Sequence, residues 1–101
     1  MNESGWSLER IRAEIDEVDI QILRLLERRA FLALRAKREK ERAGMPVEDP
    51  ARERQVIERI VQHRCGPLPA SEIRRVFEAI IACCRTVQTG GGNAGTEVNP
   101  W

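Results

Sequence analysis

The sequence predicts an all-α fold of three helices, one of them very long. Three observations carry this. Charged residues make up 33% of the chain and aromatics only 4%, with no alternating Val/Thr/Tyr-rich run, a composition that suits helices better than strands. Non-polar residues recur every three or four positions, at Leu8, Ile11, Ile15, Val18, Ile22, Leu25, Leu32 and Ala36, which is the spacing of one helix face. Gly and Pro are absent from Leu8 through Ala43 and frequent after it. At 101 residues the chain is long enough for one domain with a modest core.

The first helix should begin behind Ser7, a favoured N-cap, and stop at Gly44 with Pro46 reinforcing the break. That gives about 35 residues and about 50 Å at about 1.5 Å per residue. A globule of this chain length has a radius of gyration of only about 13 Å, so the helix overhangs it. Its sustained apolar stripe needs a partner along its length. The economical solution is an intertwined homodimer in which the long helices pair. Gly44-Met45-Pro46-Val47-Glu48 reads as a loop. Helix two should start at Asp49-Pro50, a cap followed by proline at the first helical position. Its apolar face is Val56, Ile57, Ile60 and Val61, and it ends by Cys65-Gly66-Pro67. Helix three should start between Pro69 and Ser71, with a stripe of Ile73, Val76, Phe77, Ile80, Ile81, Cys84 and Val87. Residues 7–88 form the domain, residues 1–6 read as a flexible start, and the Gly-rich residues 89–101 read as a disordered tail.

The net charge of +1 provides no global field to recruit nucleic acid or an anionic membrane. No apolar run approaches the length of a membrane span and the start lacks the features of a signal peptide, so cytoplasmic residence is the expectation. Cys65, Cys83 and Cys84 are odd in number and lack Cys-x-x-Cys spacing, which points to neither a disulfide framework nor a zinc site. His63, the single histidine, reads as a solvated surface residue.

Within the apolar seam of helix one, the beat after Leu25 falls on Arg29. A permanent cation facing a helical core needs an anion to meet it. Lys40 lies eleven residues further on, three turns, and so projects on nearly the same face. Arg12 lies seventeen residues before Arg29, about 26 Å along the axis, so one small ligand cannot touch both within a chain. Antiparallel pairing of the long helices would bring Arg12 of one subunit toward Arg29 of the other. Helix two opens with Asp49, Arg52 and Glu53. Asp49 caps and Glu53 complements the helix dipole, whereas Arg52 opposes it. Helix three ends with Cys84, a small core residue, and Gln88 one turn later on the same face. Gln88 can donate a hydrogen bond without titrating. No histidine stands where it could activate Cys84 as a nucleophile.

Taken in order, these residues resemble a known family. Leu8-x-x-Ile11-Arg12-x-x-Ile15-Asp16-x-x-Asp19, then Leu25-Leu26-x-x-Arg29, Lys40, Pro46-Val47-x-Asp49-Pro50-x-Arg52-Glu53, Ile80-Ile81 and Cys84-x-x-x-Gln88 are similar to the all-helical AroQ-type chorismate mutases. The likeness runs from Ser7 to Gln88. It implies an intertwined helical homodimer with shared active sites. It also implies rearrangement of chorismate to prephenate, in aromatic amino acid biosynthesis, with no cofactor, metal or covalent intermediate. Carried over by position, Arg29 and Arg12 from the other subunit would grip the two carboxylates. Lys40 and Gln88 would hydrogen-bond the ether oxygen, Glu53 would hold the ring hydroxyl with Asp49 nearby, and Arg52 and Cys84 would complete the pocket. Serine is familiar in this family at position 84, and the thiol is a weaker donor.

Two further readings stand beside this one. A relative could act on isochorismate, eliminating pyruvate, or on 4-amino-4-deoxychorismate. The Asp49–Glu53 pair argues against the lyase and not against the amino analogue. A non-catalytic dimerisation module would leave Arg29 unexplained. The sequence identifies no regulatory partner enzyme.

Overall fold

The computed structural model describes residues 5–90. The expectations of a flexible start and a disordered tail therefore fall, apart from residues 5, 6, 89 and 90, outside the described residues. Helix α1 spans Leu8–Arg42, α2 spans Pro50–Gln62 and α3 spans Ala70–Gln88.

Each boundary has a local cause. The Ser7 Oγ accepts from the Arg10 N–H at 3.1 Å, satisfying one of the orphan amides at the start of α1. Beside it, the Arg10 guanidinium lies 4.1 Å from the Trp6 ring centre, a cation–π contact. At the other end Gly44 takes φ +69°. Its N–H donates to the Glu41 carbonyl at 3.2 Å, and the Met45 N–H donates to the Lys40 carbonyl at 2.8 Å. This is the Schellman pairing, and the left-handed backbone it needs favours glycine. Helix α2 starts where the Asp49 Oδ1 accepts from the Arg52 N–H at 3.0 Å, with Pro50 in the first turn. Helix α3 follows Pro69 and has no side-chain cap.

Helix α3 packs against both α1 and α2, which do not pack on each other. Among the described residues the buried hydrophobic side chains are Val61, Ile81 and Cys84, all on α2 and α3. The Arg74 guanidinium of α3 clamps the Glu58 carboxylate of α2, with Nη2 to Oε1 at 3.1 Å. That hydrogen bond is the main cause holding the Glu58 carboxyl below its ordinary value, and it raises the Arg74 value in turn.

The shape is a rod with a globule at one end. The dimensions are 61 × 32 × 19 Å and the radius of gyration is 17.4 Å, well above the value of about 13 Å for a compact chain of this length. The first half of α1 is the rod. Every residue from 8 to 25 is exposed, including Ile15 at 53% and Leu25 at 63%. Ile20 and Leu23 lie off the main stripe and are exposed as well, so this half of the helix is apolar on more than one face. Burying each such side chain is worth about 1.5–3 kcal/mol, and a single chain forgoes that gain. No described helix is long and apolar enough to cross a membrane.

A cation in the seam is buried once a second helix covers that seam. In the single chain Arg29 is half-buried, and no charged residue among those described is buried.

Candidate active site

One cavity of about 290 Å³ lies where the second half of α1, the loop after it, the first turn of α2 and the end of α3 meet. Seven of the eight site residues read from the sequence line it: Arg29, Lys40, Asp49, Arg52, Glu53, Cys84 and Gln88. The helical periods explain the convergence. Arg29, Ala33, Ala36 and Lys40 follow one face of α1, and Ile81, Cys84 and Gln88 follow one face of α3. Ala33 and Ala36 lack long side chains there, which leaves room between the two helices. Arg12 does not line the cavity. It sits on the exposed first half of α1, about 26 Å up the axis from Arg29.

The polar groups are held by short-range partners. The Arg29 Nη1 donates to the Cys84 Sγ at 3.1 Å, tying α1 to the buried thiol of α3. The Gln88 Nε2 donates to the Ala33 carbonyl at 2.9 Å, across 55 residues of sequence. Gln88 is therefore docked on α1. The Lys40 Nζ donates to the Val47 carbonyl in the loop at 2.9 Å. Asp49 spends one oxygen on the α2 cap.

Arg85 is the residue the sequence reading missed. It lines the cavity, and its Nε stands 3.3 Å from the Glu53 Oε2. A signal existed in its spacing, four residues after Ile81 and three before Gln88, which puts it on the cavity side of α3. Adjacent to the apolar stripe, it reads as an ordinary solvated arginine.

The electrostatics follow from the lining. Arg29, Lys40, Arg52 and Arg85 face Asp49 and Glu53, leaving two positive charges uncompensated. The positive end of the α2 dipole adds to that potential. Such a site suits a small dianion, and guanidinium forks suit carboxylates in particular. No histidine lines the cavity. His63 sits at the end of α2, its Nδ1 2.8 Å from the Arg59 carbonyl. No group of three or more His, Cys, Asp or Glu side chains among the described residues is placed to hold a metal. What the arrangement offers is fixed cations and neutral donors, suited to orienting an anion and stabilising charge that grows on an oxygen.

Comparison with known proteins agrees with this geometry. Residues 11–89 match the family model described as chorismate mutase type II. The bifunctional chorismate mutase/prephenate dehydratase of Aquifex aeolicus is 35% identical over 85 residues, covering 80% of this chain and 24% of that protein. The chorismate mutase of Methanocaldococcus jannaschii is 42% identical over 53 residues, covering 52% of this chain and 54% of that one. The chain thus spans between a quarter and about half of the length of these relatives. Among solved structures, chorismate mutase (form II) from Thermus thermophilus superposes with a TM-score of 0.80 at 29% identity, covering 85% of this chain and 98% of that one. On the family match, the shared fold and the ordered site residues, this chain belongs to the type II chorismate mutase family.

Proposed function

We propose that this protein converts chorismate to prephenate, in the supply of aromatic amino acids, as an intertwined homodimer with shared active sites. The observation that carries the activity is the convergence of seven predicted residues from three helices and a loop on one cavity with two excess positive charges. In this reaction one C–O bond breaks as one C–C bond forms within the same molecule, and no proton is transferred. The protein therefore needs neither nucleophile nor base. It needs to hold the substrate folded and to stabilise the electron-rich oxygen.

Arg29 takes one substrate carboxylate, and Arg12 of the partner subunit takes the other. Fixing both ends selects the coiled conformer, so part of the activation entropy is met on binding. Lys40 and Gln88 turn from the Val47 and Ala33 carbonyls toward the ether oxygen. Charge on that oxygen peaks in the transition state, so the two donors act more strongly there than on the bound substrate. Glu53 accepts from the ring hydroxyl with Asp49 beside it. Arg52 adds positive charge over the carboxylates, and Cys84 seats the Arg29 guanidinium.

Support for the dimer comes from the uncovered apolar rod of α1 and from the distance that keeps Arg12 out of its own chain's cavity. The activity is tested by loss of chorismate absorbance with purified protein, with isochorismate and 4-amino-4-deoxychorismate run beside it. Turnover of chorismate is expected, and no turnover of any of the three would sink the enzyme reading. Sharing is tested by mixing inactive Arg12→Ala and Arg29→Ala chains. Random pairing of symmetric dimers rebuilds one intact site in each mixed dimer, giving about a quarter of wild-type activity. If the mixture stays as inactive as its components, the sites are not shared.

A further inference from the structure

We infer that Arg85 is a positioning residue that sets the selectivity of this pocket for a neutral hydroxyl over an ammonium on the substrate ring. The inference rests on the site reading above and deepens it. In that reading Glu53 meets the ring substituent. A lone carboxylate there would accept from a hydroxyl, but it would attract an ammonium more strongly, because a charge-assisted pair is roughly twice as strong as a neutral one. Glu53 is not alone. The Arg85 Nε stands 3.3 Å from its Oε2, and both side chains line the cavity.

Two consequences follow from elementary charge accounting. The guanidinium neutralises the carboxylate as an ion-pair partner, yet leaves it able to accept a hydroxyl proton, since a carboxylate has about four lone-pair positions. A ring ammonium would face a compensated acid and a like charge beside it, which disfavours the charged ligand. Arg85 also supplies one of the four lining cations that leave the site two positive charges in excess. That excess matches a dicarboxylate with a neutral ring substituent better than one that carries its own ammonium. The pair is partly open to solvent, at 44% and 30% exposure, so screening keeps the effect modest. A ligand filling the cavity displaces that water and strengthens it.

The position on the two helices makes this pairing specific. Glu53 lies in the first turn of α2 and Arg85 in the last turn of α3. The ion pair therefore also fixes where the carboxylate stands relative to Gln88, one turn along α3.

The test compares the KM for chorismate with the inhibition constant of 4-amino-4-deoxychorismate against it, in wild type, Arg85→Gln, Arg85→Lys and Glu53→Gln. In Arg85→Gln the ratio of inhibition constant to KM is expected to fall about tenfold, because both ligands lose a cation but only the ammonium gains from a bare carboxylate and the removal of a like charge. Arg85→Lys keeps the charge and is expected to return the ratio to within about threefold of wild type. Glu53→Gln leaves Arg85 uncompensated and is expected to raise the ratio. An Arg85→Gln ratio within about threefold of wild type overturns the inference. So does failure of Arg85→Lys to restore a shifted ratio, since that would mark a packing effect. Should Arg85→Gln fail to fold, Arg85→Met, which also removes the charge, is read in its place against the same limits. Absence of chorismate turnover in the wild type would overturn the functional reading and the inference with it, whereas turnover with an unmoved ratio overturns the inference alone.

Discussion

Replacing Arg29 with alanine separates the site's chemistry from its scaffold. The guanidinium is half-buried and reaches across the cavity from α1 to the Cys84 thiol. A substrate carboxylate about 4 Å from it, at an effective dielectric of about 20, gains about 4 kcal/mol. Truncating one member of a desolvated charge pair costs about 2–5 kcal/mol in measured cases. At about 1.36 kcal/mol per factor of ten, kcat/KM should fall about a thousandfold, and by no less than about thirtyfold. The fold should hardly notice. Alanine is the best helix former and arginine is close behind, and the one hydrogen bond removed is to a thiol, worth about 1 kcal/mol or less. Chorismate absorbance gives the rate, while far-ultraviolet circular dichroism and urea titration give the fold. A rate within a few-fold of wild type would refute the role assigned to Arg29. A lost rate accompanied by lost helix would refute the separation of site from scaffold.

Three other substitutions probe neighbouring parts of the structure. Cys84→Ser supplies a hydroxyl to the Arg29 guanidinium and should keep kcat/KM within about threefold, while urea titration shows about 1 kcal/mol lost for turning a small buried hydrophobe into a polar group. Gln88 does not titrate, so its donor leaves the wild-type rate flat with pH near neutrality. Gln88→Glu should lose about a hundredfold at pH 7.5 and recover toward acid pH as protonation restores a donor, which a pH–rate profile reads directly. The Glu58 carboxyl is held below its ordinary value of 4.5 by Arg74. A lowered folded value adds stability that is present above the unfolded value and lost as pH falls through the folded one. The urea midpoints of wild type and Arg74→Ala should therefore differ slightly at pH 7 and converge as the pH falls through the folded value, the difference being small because both side chains are about half exposed.

Much of this molecule is written in local chemistry, and that part was legible. Ser7, Asp49-Pro50 and Gly44 bound the helices because caps and a left-handed turn are short-range devices. The length of α1 follows from the absence of Gly and Pro, and the overhang follows from the length. Arg29 announced itself because a cation breaks an apolar rhythm. Arg85 did not, because it stands beside a stripe rather than in it. Only the docking of α3 on the first turn of α2 makes it a neighbour of Glu53. The resting partners of Lys40 and Gln88 were equally hidden, since they are the backbone carbonyls of Val47 and Ala33 and every residue carries one of those. Periodicity reports which face a residue such as Arg29 shares. It does not report whether the neighbour that would cover that face belongs to the same chain.

The carbonyl partners of Lys40 and Gln88 have a thermodynamic consequence. A donor that waits in water must shed its hydration before it can act, whereas in the proposed mechanism these two would exchange one acceptor for another. The exchange is close to even for a neutral ether oxygen and favourable only once that oxygen is electron-rich. Chorismate should therefore gain little heat from these two groups on binding, and the same groups should contribute strongly to the barrier. A calorimetric titration with a stable ether analogue would read the first quantity, and the temperature dependence of kcat the second. The Val47 carbonyl belongs to the loop between α1 and α2, so on the proposed mechanism each turnover would release and retake that contact.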